Sequence, residues 1–307
     1  MPGGSGGSNP PFAFAFAPSS LAMSDPRPIA ILDSGLGGLT IARELHALLP
    51  QEQIIYLADT ARQPYGSRGP DAVIRMTRQL VRYLAGHQPK HFVLACNTST
   101  ALALPALRAE FAEHSFSGVI EPTVRAAVEA AGNKPQPLFG VLATEATIRS
   151  RAYERAIARR RNRAAVVLRP ASLLVPIIEE GRTASDPLVR LAVRQYLHPL
   201  IARKIDVLIL GCTHFPMLKS VMVQVAGPGI EVVDASARCA EDVARRLKSA
   251  RKLKEGGAGG MRCIVTDDAD RFRQLSTKLL GLSIDQPLLV RPDALPADEP
   301  AFIRAAG

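Results

Sequence analysis

Short apolar runs of strand length recur along this chain, and two of them deliver a cysteine. Val207-Leu208-Ile209-Leu210 is too short for a helix and reads as a buried strand. Gly211 breaks it, and Cys212, Thr213 and His214 follow. Phe92-Val93-Leu94-Ala95 has the same layout and ends in Cys96, Asn97 and Thr98. Segments of helical period separate such runs, so strands and helices alternate. That alternation predicts parallel sheets covered by helices. In open sheets of this kind ligands bind beyond the carboxyl ends of the strands, which is where both cysteines fall.

Taken in order, residues 1–27 are rich in Gly, Pro, Ser and Ala and are expected to form a flexible extension. No positive charge precedes their short Phe-Ala repeat, which argues against a secretory signal peptide. A strand over 28–32 ends at Asp33-Ser34-Gly35-Leu36-Gly37-Gly38, and a helix over 41–49 follows. The glycines permit a tight turn whose amides suit a carboxylate or a phosphate, although the spacing is not GxGxxG. A strand over 53–58 closes on Asp59, Gln63-Pro64-Tyr65-Gly66 reads as a turn, and a helix over 70–85 leads to the Cys96 strand.

From Glu121 the layout repeats. A helix to 131 precedes a strand over 137–143, which ends in Thr144-Glu145-Ala146-Thr147. A helix over 148–162, a strand over 164–168, an acidic loop over 172–181 and a helix over 187–203 lead to the Cys212 strand. Position 33 stands to 96 much as 144 stands to 212, which suggests an internal duplication. A strand over 230–236, a helix over 237–249, a loop over 252–260, a strand over 262–265 and a helix over 269–281 complete the pattern. These last pieces are expected to rejoin the first half. The predicted fold class is α/β, with one domain from residues 28–121 plus 236–300 and a second from 122–235. One cysteine would then stand on each wall of a shared cleft, a usual place for a small ligand.

Composition narrows the partners. Hydrophobic content of 47% with 21% charged residues describes a folded chain. No apolar run reaches about 20 residues, so no membrane span is expected. The four cysteines make no CxxC pair. That disfavours a zinc ribbon or a disulfide framework and fits reduced thiols in the cytoplasm. Cys239 and Cys263 read as small buried hydrophobes. The net charge of +10 is partly concentrated in Arg159-Arg160-Arg161-Asn162-Arg163. With no aromatic pattern beside it, this run reads as a solvated helix end rather than a nucleic-acid surface.

Four motifs in order, Asp33-Ser34-Gly35-Leu36-Gly37-Gly38, Pro64-Tyr65-Gly66, Cys96-Asn97-Thr98 and Gly211-Cys212-Thr213-His214, resemble the signature elements of the glutamate racemases, within the aspartate/glutamate racemase superfamily. The resemblance runs from about Pro28 to Val290. It implies two pseudo-symmetric α/β domains with mostly parallel sheets and an active site in the cleft between them. It further implies that Cys96 and Cys212 are acid/base thiols, with Asp33 assisting the first and His214 and a glutamate assisting the second. The family's proline, two apolar residues and glutamate fall on Pro176-Ile177-Ile178-Glu179, which selects Glu179 over Glu180. Ser34, Pro64, Tyr65, Gly66, Asn97, Thr98, Thr144, Thr147 and Thr213 match substrate-binding positions. Glu145 departs from the family, which often has a smaller residue there. No cofactor and no metal are implied. The family supplies D-glutamate for peptidoglycan from the cytoplasm, often as a homodimer.

The chemistry suits those residue types. Racemisation removes the Cα proton from one face and returns one to the other, which two opposed groups do without moving around the carbon. A thiol, with an ordinary pKa near 8.5, has both protonation forms within reach near neutrality. Amides and hydroxyls around the α-carboxylate would stabilise its enediolate-like form. A carboxylate beside a thiol opposes thiolate formation, so the thiolate is expected only once the substrate ammonium is bound. Other readings are a racemase of aspartate or a hydantoin, a Cys-His thiol hydrolase with a single essential cysteine, and a basic nucleic-acid-binding protein.

Overall fold

The apolar runs assemble into two parallel sheets. A computed structural model of the protein describes residues 24–298, so most of the expected extension over 1–27, and residues 299–300 of the expected first domain, lie outside the described residues. The strands are Ile29–Asp33 (β1), Gln53–Ala58 (β2), His91–Leu94 (β3), Phe116–Gly118 (β4), Leu138–Ala143 (β5), Ala165–Pro170 (β6), Val207–Gly211 (β7), Glu231–Val233 (β8), Gly260–Val265 (β9) and Leu288–Leu289 (β10). The α-helices are Leu39–Leu48 (α1), Pro70–Ala85 (α2), Asn97–Leu102 (α3), Leu104–Glu110 (α4), Ile120–Ala130 (α5), Glu145–Arg149 (α6), Ala152–Arg160 (α7), Leu174–Glu179 (α8), Pro187–Ala202 (α9), Lys219–Ala226 (α10), Ser236–Ser249 (α11) and Ala269–Leu280 (α12).

The first sheet has the order β10-β9-β2-β1-β3-β4 and the second β6-β5-β7-β8. The last four strands of the first order, β2-β1-β3-β4, are thus arranged as the whole of the second. Strand pairs are parallel throughout the described residues. In each sheet the chain winds outward on one side of its first strand, then crosses to the other side. The crevice at that crossing is where an open α/β sheet binds ligands. Asp33 and Cys96 flank it in the first sheet, Thr144 and Cys212 in the second. The strands β9 and β10 extend the first sheet past β2, so the carboxyl-terminal pieces do rejoin the first half.

Both faces of β1 are buried, which is why its apolar run is continuous rather than alternating. Ile29 and Ile31 point to a cluster shared with Phe139, Val141, Ile209 and Val243, between the two sheets. Ala30 and Leu32 point the other way, to Leu80, Val81 and Phe92. A fully buried Ile or Leu contributes about 1.5–3 kcal/mol, so the shared cluster holds the two sheets as one body at their base.

Several elements differ from expectation. The helix expected over 148–162 is two helices, α6 and α7. Arg151 between them is left-handed, with φ 54°, and Ser150 Oγ donates to Thr147 O and accepts from Ala152 N. The acidic loop over 172–181 contains α8, because Leu174, Val175, Ile177 and Ile178 make a buried face. The elements α3, α4, β4, α10 and β10 had no counterpart in the sequence reading. Among the described residues no helix is long and apolar enough to cross a membrane.

Candidate active site

The tips of β1, β3, β5 and β7 converge on one small cavity. Of the residues expected to act, all but Asp33 and Thr147 line it, together with Gln63 and Val175. Cys96 and Cys212 are both among the lining residues, and both are buried, at 6% and 7% exposure. The cavity is narrow, with space for roughly one water.

Asp33 ends β1, and its two carboxylate oxygens are used differently. Oδ2 accepts from Gly35 N at 3.1 Å, Gly38 N at 2.9 Å and Tyr56 OH at 3.3 Å. Two amides of the glycine turn, expected to face a ligand, are therefore satisfied by the chain itself. Asp33 Oδ1 is buried without a partner among the described residues. Burial raises the carboxyl pKa, and the charge on His214 partly offsets the rise.

Cys96 caps α3, its Sγ accepting from Ser99 N at 3.5 Å. Burial, and then the negative charge of Asp33, push this thiol up. Asn97 Oδ1 accepts from Tyr153 OH at 2.6 Å, which leaves Asn97 Nδ2 buried without an acceptor. Thr98, Thr144 and Thr147 form a ring of hydroxyls with separations of 3.0, 3.1 and 3.0 Å. Thr147 therefore meets the site through its neighbours rather than at the wall.

On the opposite wall, His214 Nδ1 lies 3.9 Å from Cys212 Sγ, and Nε2 lies 2.7 Å from Glu179 Oε1. Burial opposes a charge on this imidazole, but the hydrogen bonds to Cys212 and Glu179 outweigh it and raise the pKa well above that of a free histidine. The partner carboxylate is thus Glu179. Glu180 instead pairs with Arg182 on the surface. The close fit depends on Gly37, where an added Cβ would come within 2.7 Å of both His214 Nδ1 and Thr213 Oγ1.

Tyr65 is buried, and its hydroxyl donates to Asp59 rather than into the cavity. Asp59 also accepts from Arg62 Nε at 2.8 Å and Thr266 Oγ1 at 2.9 Å. Sequence reasoning assigned no role to Asp59, Gln63, Tyr153 or Val175. Asp59 carried a signal, a carboxylate at a strand tip as at Asp33, whereas Tyr153 lies within an ordinary amphipathic helix. Glu145 is absent from the cavity wall and pairs with Arg149 at 2.8 Å. Arg159 and Arg160 both pair with Glu121. Among the described residues no group of three or more His, Cys, Asp or Glu side chains is placed to hold a metal ion.

The Cys212-His214-Glu179 chain alone would also serve a thiol hydrolase. Comparison with known proteins decides between the classes. Residues 39–241 match the model of the Asp/Glu/Hydantoin racemase family. The chain belongs to that family. A glutamate racemase of Neisseria gonorrhoeae is 39% identical over 261 residues, which span 85% of this chain and 95% of the relative. Among solved structures, glutamate racemase from Thermus thermophilus, in complex with beta-chloro-D-alanine, is 36% identical with a TM-score of 0.79, covering 89% of this chain and 100% of that one. That of Francisella tularensis, in complex with D-glutamate, is 31% identical with a TM-score of 0.81, covering 88% and 99%. Within the family, the chain therefore stands with the glutamate racemases.

Proposed function

We propose that the chain interconverts L- and D-glutamate by passing the Cα proton between Cys96 and Cys212. Glutamate racemase activity is shared by relatives at this level of identity, and the relative from Francisella tularensis holds D-glutamate. The two-thiol reading rests on one observation: both cysteines line a single cavity, each at the crossing point of its own sheet.

Substrate enters between a catalytic domain of residues 28–121 plus 236–300 and one of residues 122–235. Asn97 Nδ2, the threonine hydroxyls and Thr213 meet its carboxylates, while Ser34, Pro64, Tyr65 and Gly66 shape the wall beside them. One sulfur takes the Cα proton as a thiolate; the other, as a thiol, gives its proton to the opposite face. One Cα–H bond breaks as an S–H forms and the other S–H breaks as a new Cα–H forms, which leaves the protein with one thiol and one thiolate, roles reversed. Cys96, pushed up by burial and Asp33, is the thiol of the resting site. The His214 imidazolium beside Cys212 supplies the positive charge that a thiolate there requires. The ammonium of the substrate, next to Asp33, offsets that carboxylate and makes Cys96 usable as a base in the reverse direction. Closure around the substrate excludes water and strengthens each of these interactions. The product would supply D-glutamate for peptidoglycan, in the cytoplasm, from a homodimer.

The test is each glutamate enantiomer in deuterated water. Early in the reaction deuterium should enter the product enantiomer while recovered substrate stays protonated. Equal labelling of both would indicate a single base and overturn the two-thiol reading; no exchange would overturn the racemase reading. Cys96→Ala and Cys212→Ala should each lower turnover in both directions by at least about 10²–10⁴-fold.

A further inference from the structure

Among the described residues, three buried polar atoms at this site have no partner: Asp33 Oδ1, Gln63 Oε1 and Asn97 Nδ2. An unsatisfied buried polar atom is destabilising, so two on the cavity wall, with Asp33 beside them at the tip of β1, call for a ligand that completes them. Two are acceptors and one is a donor. An α-amino acid has the matching set, an ammonium with three N–H donors and carboxylates that accept.

Gln63 lines the cavity from the segment just before Pro64. A Cβ built at Gly35 would lie 2.1 Å from Gln63 Oε1 and 3.1 Å from Glu179 Oε1. The Gln63 and Glu179 oxygens therefore both lie against Gly35, beside the Asp33 turn. Oxygens so arranged repel unless a donor stands among them, and a cation does this best. Glu179 Oε1 is already engaged by His214, whereas Gln63 Oε1 is free to accept.

Resting on the racemase reading above, we propose that Gln63 determines specificity for an α-amino acid by accepting a hydrogen bond from the substrate ammonium, alongside Asp33. An amide does this without adding a third carboxylate to Asp33 and Glu179. The ammonium thus stays charged without a further negative group raising the thiol pKa.

The experiment compares wild type with Gln63→Met, which keeps length and removes the acceptor. KM for both glutamate enantiomers should rise about ten- to a hundredfold, as for loss of one charge-assisted hydrogen bond, with kcat changed far less. Inhibition by glutarate, the same dicarboxylic acid without the ammonium, should be equally strong in both proteins. An unchanged KM, or glutarate and glutamate weakened in parallel, overturns the assignment; parallel weakening would make Gln63 a loop-shaping residue only. Thermal melting of the variant shows that it is folded. If the wild type itself fails to racemise glutamate, the fault lies with the activity and not with Gln63.

Discussion

Thr98 on α3 and Thr144 at the tip of β5 meet across the cleft with their hydroxyls 3.0 Å apart. The two residues belong to different sheets and occupy unlike places in them, one just after the Cys96 strand and the other at the end of the strand beside Cys212. Their contact, completed by Thr147, joins the two sides of the cavity. A glutamate carboxylate that enters here must replace hydroxyl–hydroxyl bonds with hydroxyl–carboxylate ones, which are stronger because the acceptor is charged. The closed site is thus held by bonds that the substrate can improve upon.

Thr144→Val removes the shared hydroxyl while keeping the shape. We expect a loss of about 1 kcal/mol in stability and a rise in KM of roughly tenfold or more, as when a hydrogen bond to a charged ligand is lost. Urea unfolding and steady-state kinetics in both directions measure the two effects; an unchanged KM would remove Thr144 from the carboxylate site.

The His214-Glu179 pair has a definite pH signature. A free imidazole titrates near 6.5, and His214 is raised above this in the folded chain. Its contribution to stability is therefore complete below about pH 6.5 and is lost as pH rises through the folded value. In Glu179→Gln that loss should begin at lower pH, because one of the two hydrogen-bond partners that favour the cation is weakened. Imidazole NMR titration of both proteins checks this, and a wild-type His214 midpoint near that of a free imidazole would refute it.

His91 works in the other direction. Burial, with Arg246 adding to it, pushes its pKa down to about 4, while its ring nitrogens lie 2.9 Å from Ser115 Oγ and 2.8 Å from Ser117 Oγ. Stability from this residue is present above about pH 6.5 and is lost as pH falls toward about 4, by an amount on the order of 3 kcal/mol. His91→Gln, which cannot be protonated, should flatten the acid limb of the stability profile. Denaturant midpoints across that range provide the measurement.

Gly37→Ala should displace Thr213 and His214, since its Cβ would lie 2.7 Å from an atom of each. Overpacking of this kind typically destabilises by about 1–3 kcal/mol, and a misplaced catalytic group can lower turnover by about 10²-fold. A crystal structure of the variant with His214 unmoved, or full activity, would contradict this.

Most of what positions the site was legible in the sequence, because its strands are buried on both faces and so appear as uninterrupted apolar runs. The tips of β1, β3, β5 and β7 could be read directly, and with them Asp33, Cys96, Thr144 and Cys212. Short helices whose apolar content serves packing rather than periodicity were harder: α8 spans six residues, too few to show a helical repeat. The break at Arg151 is invisible because an arginine there carries no turn signal; Ser150 and the neighbouring backbone impose it. Asp59 and Tyr65 are six positions apart, but only folding turns the phenol away from the cavity and onto the carboxylate.

The unequal surroundings of the two sulfurs have a consequence for the kinetics. Mirror-image amino acids have the same free energy in water, so the quotient of kcat/KM for the two directions is fixed at unity whatever the protein does. Asp33 near one sulfur and a His-Glu pair near the other can make kcat differ between enantiomers only if KM differs by the same factor. A faster direction must therefore also be the one that saturates later, and any mutation on one wall alone must preserve that balance.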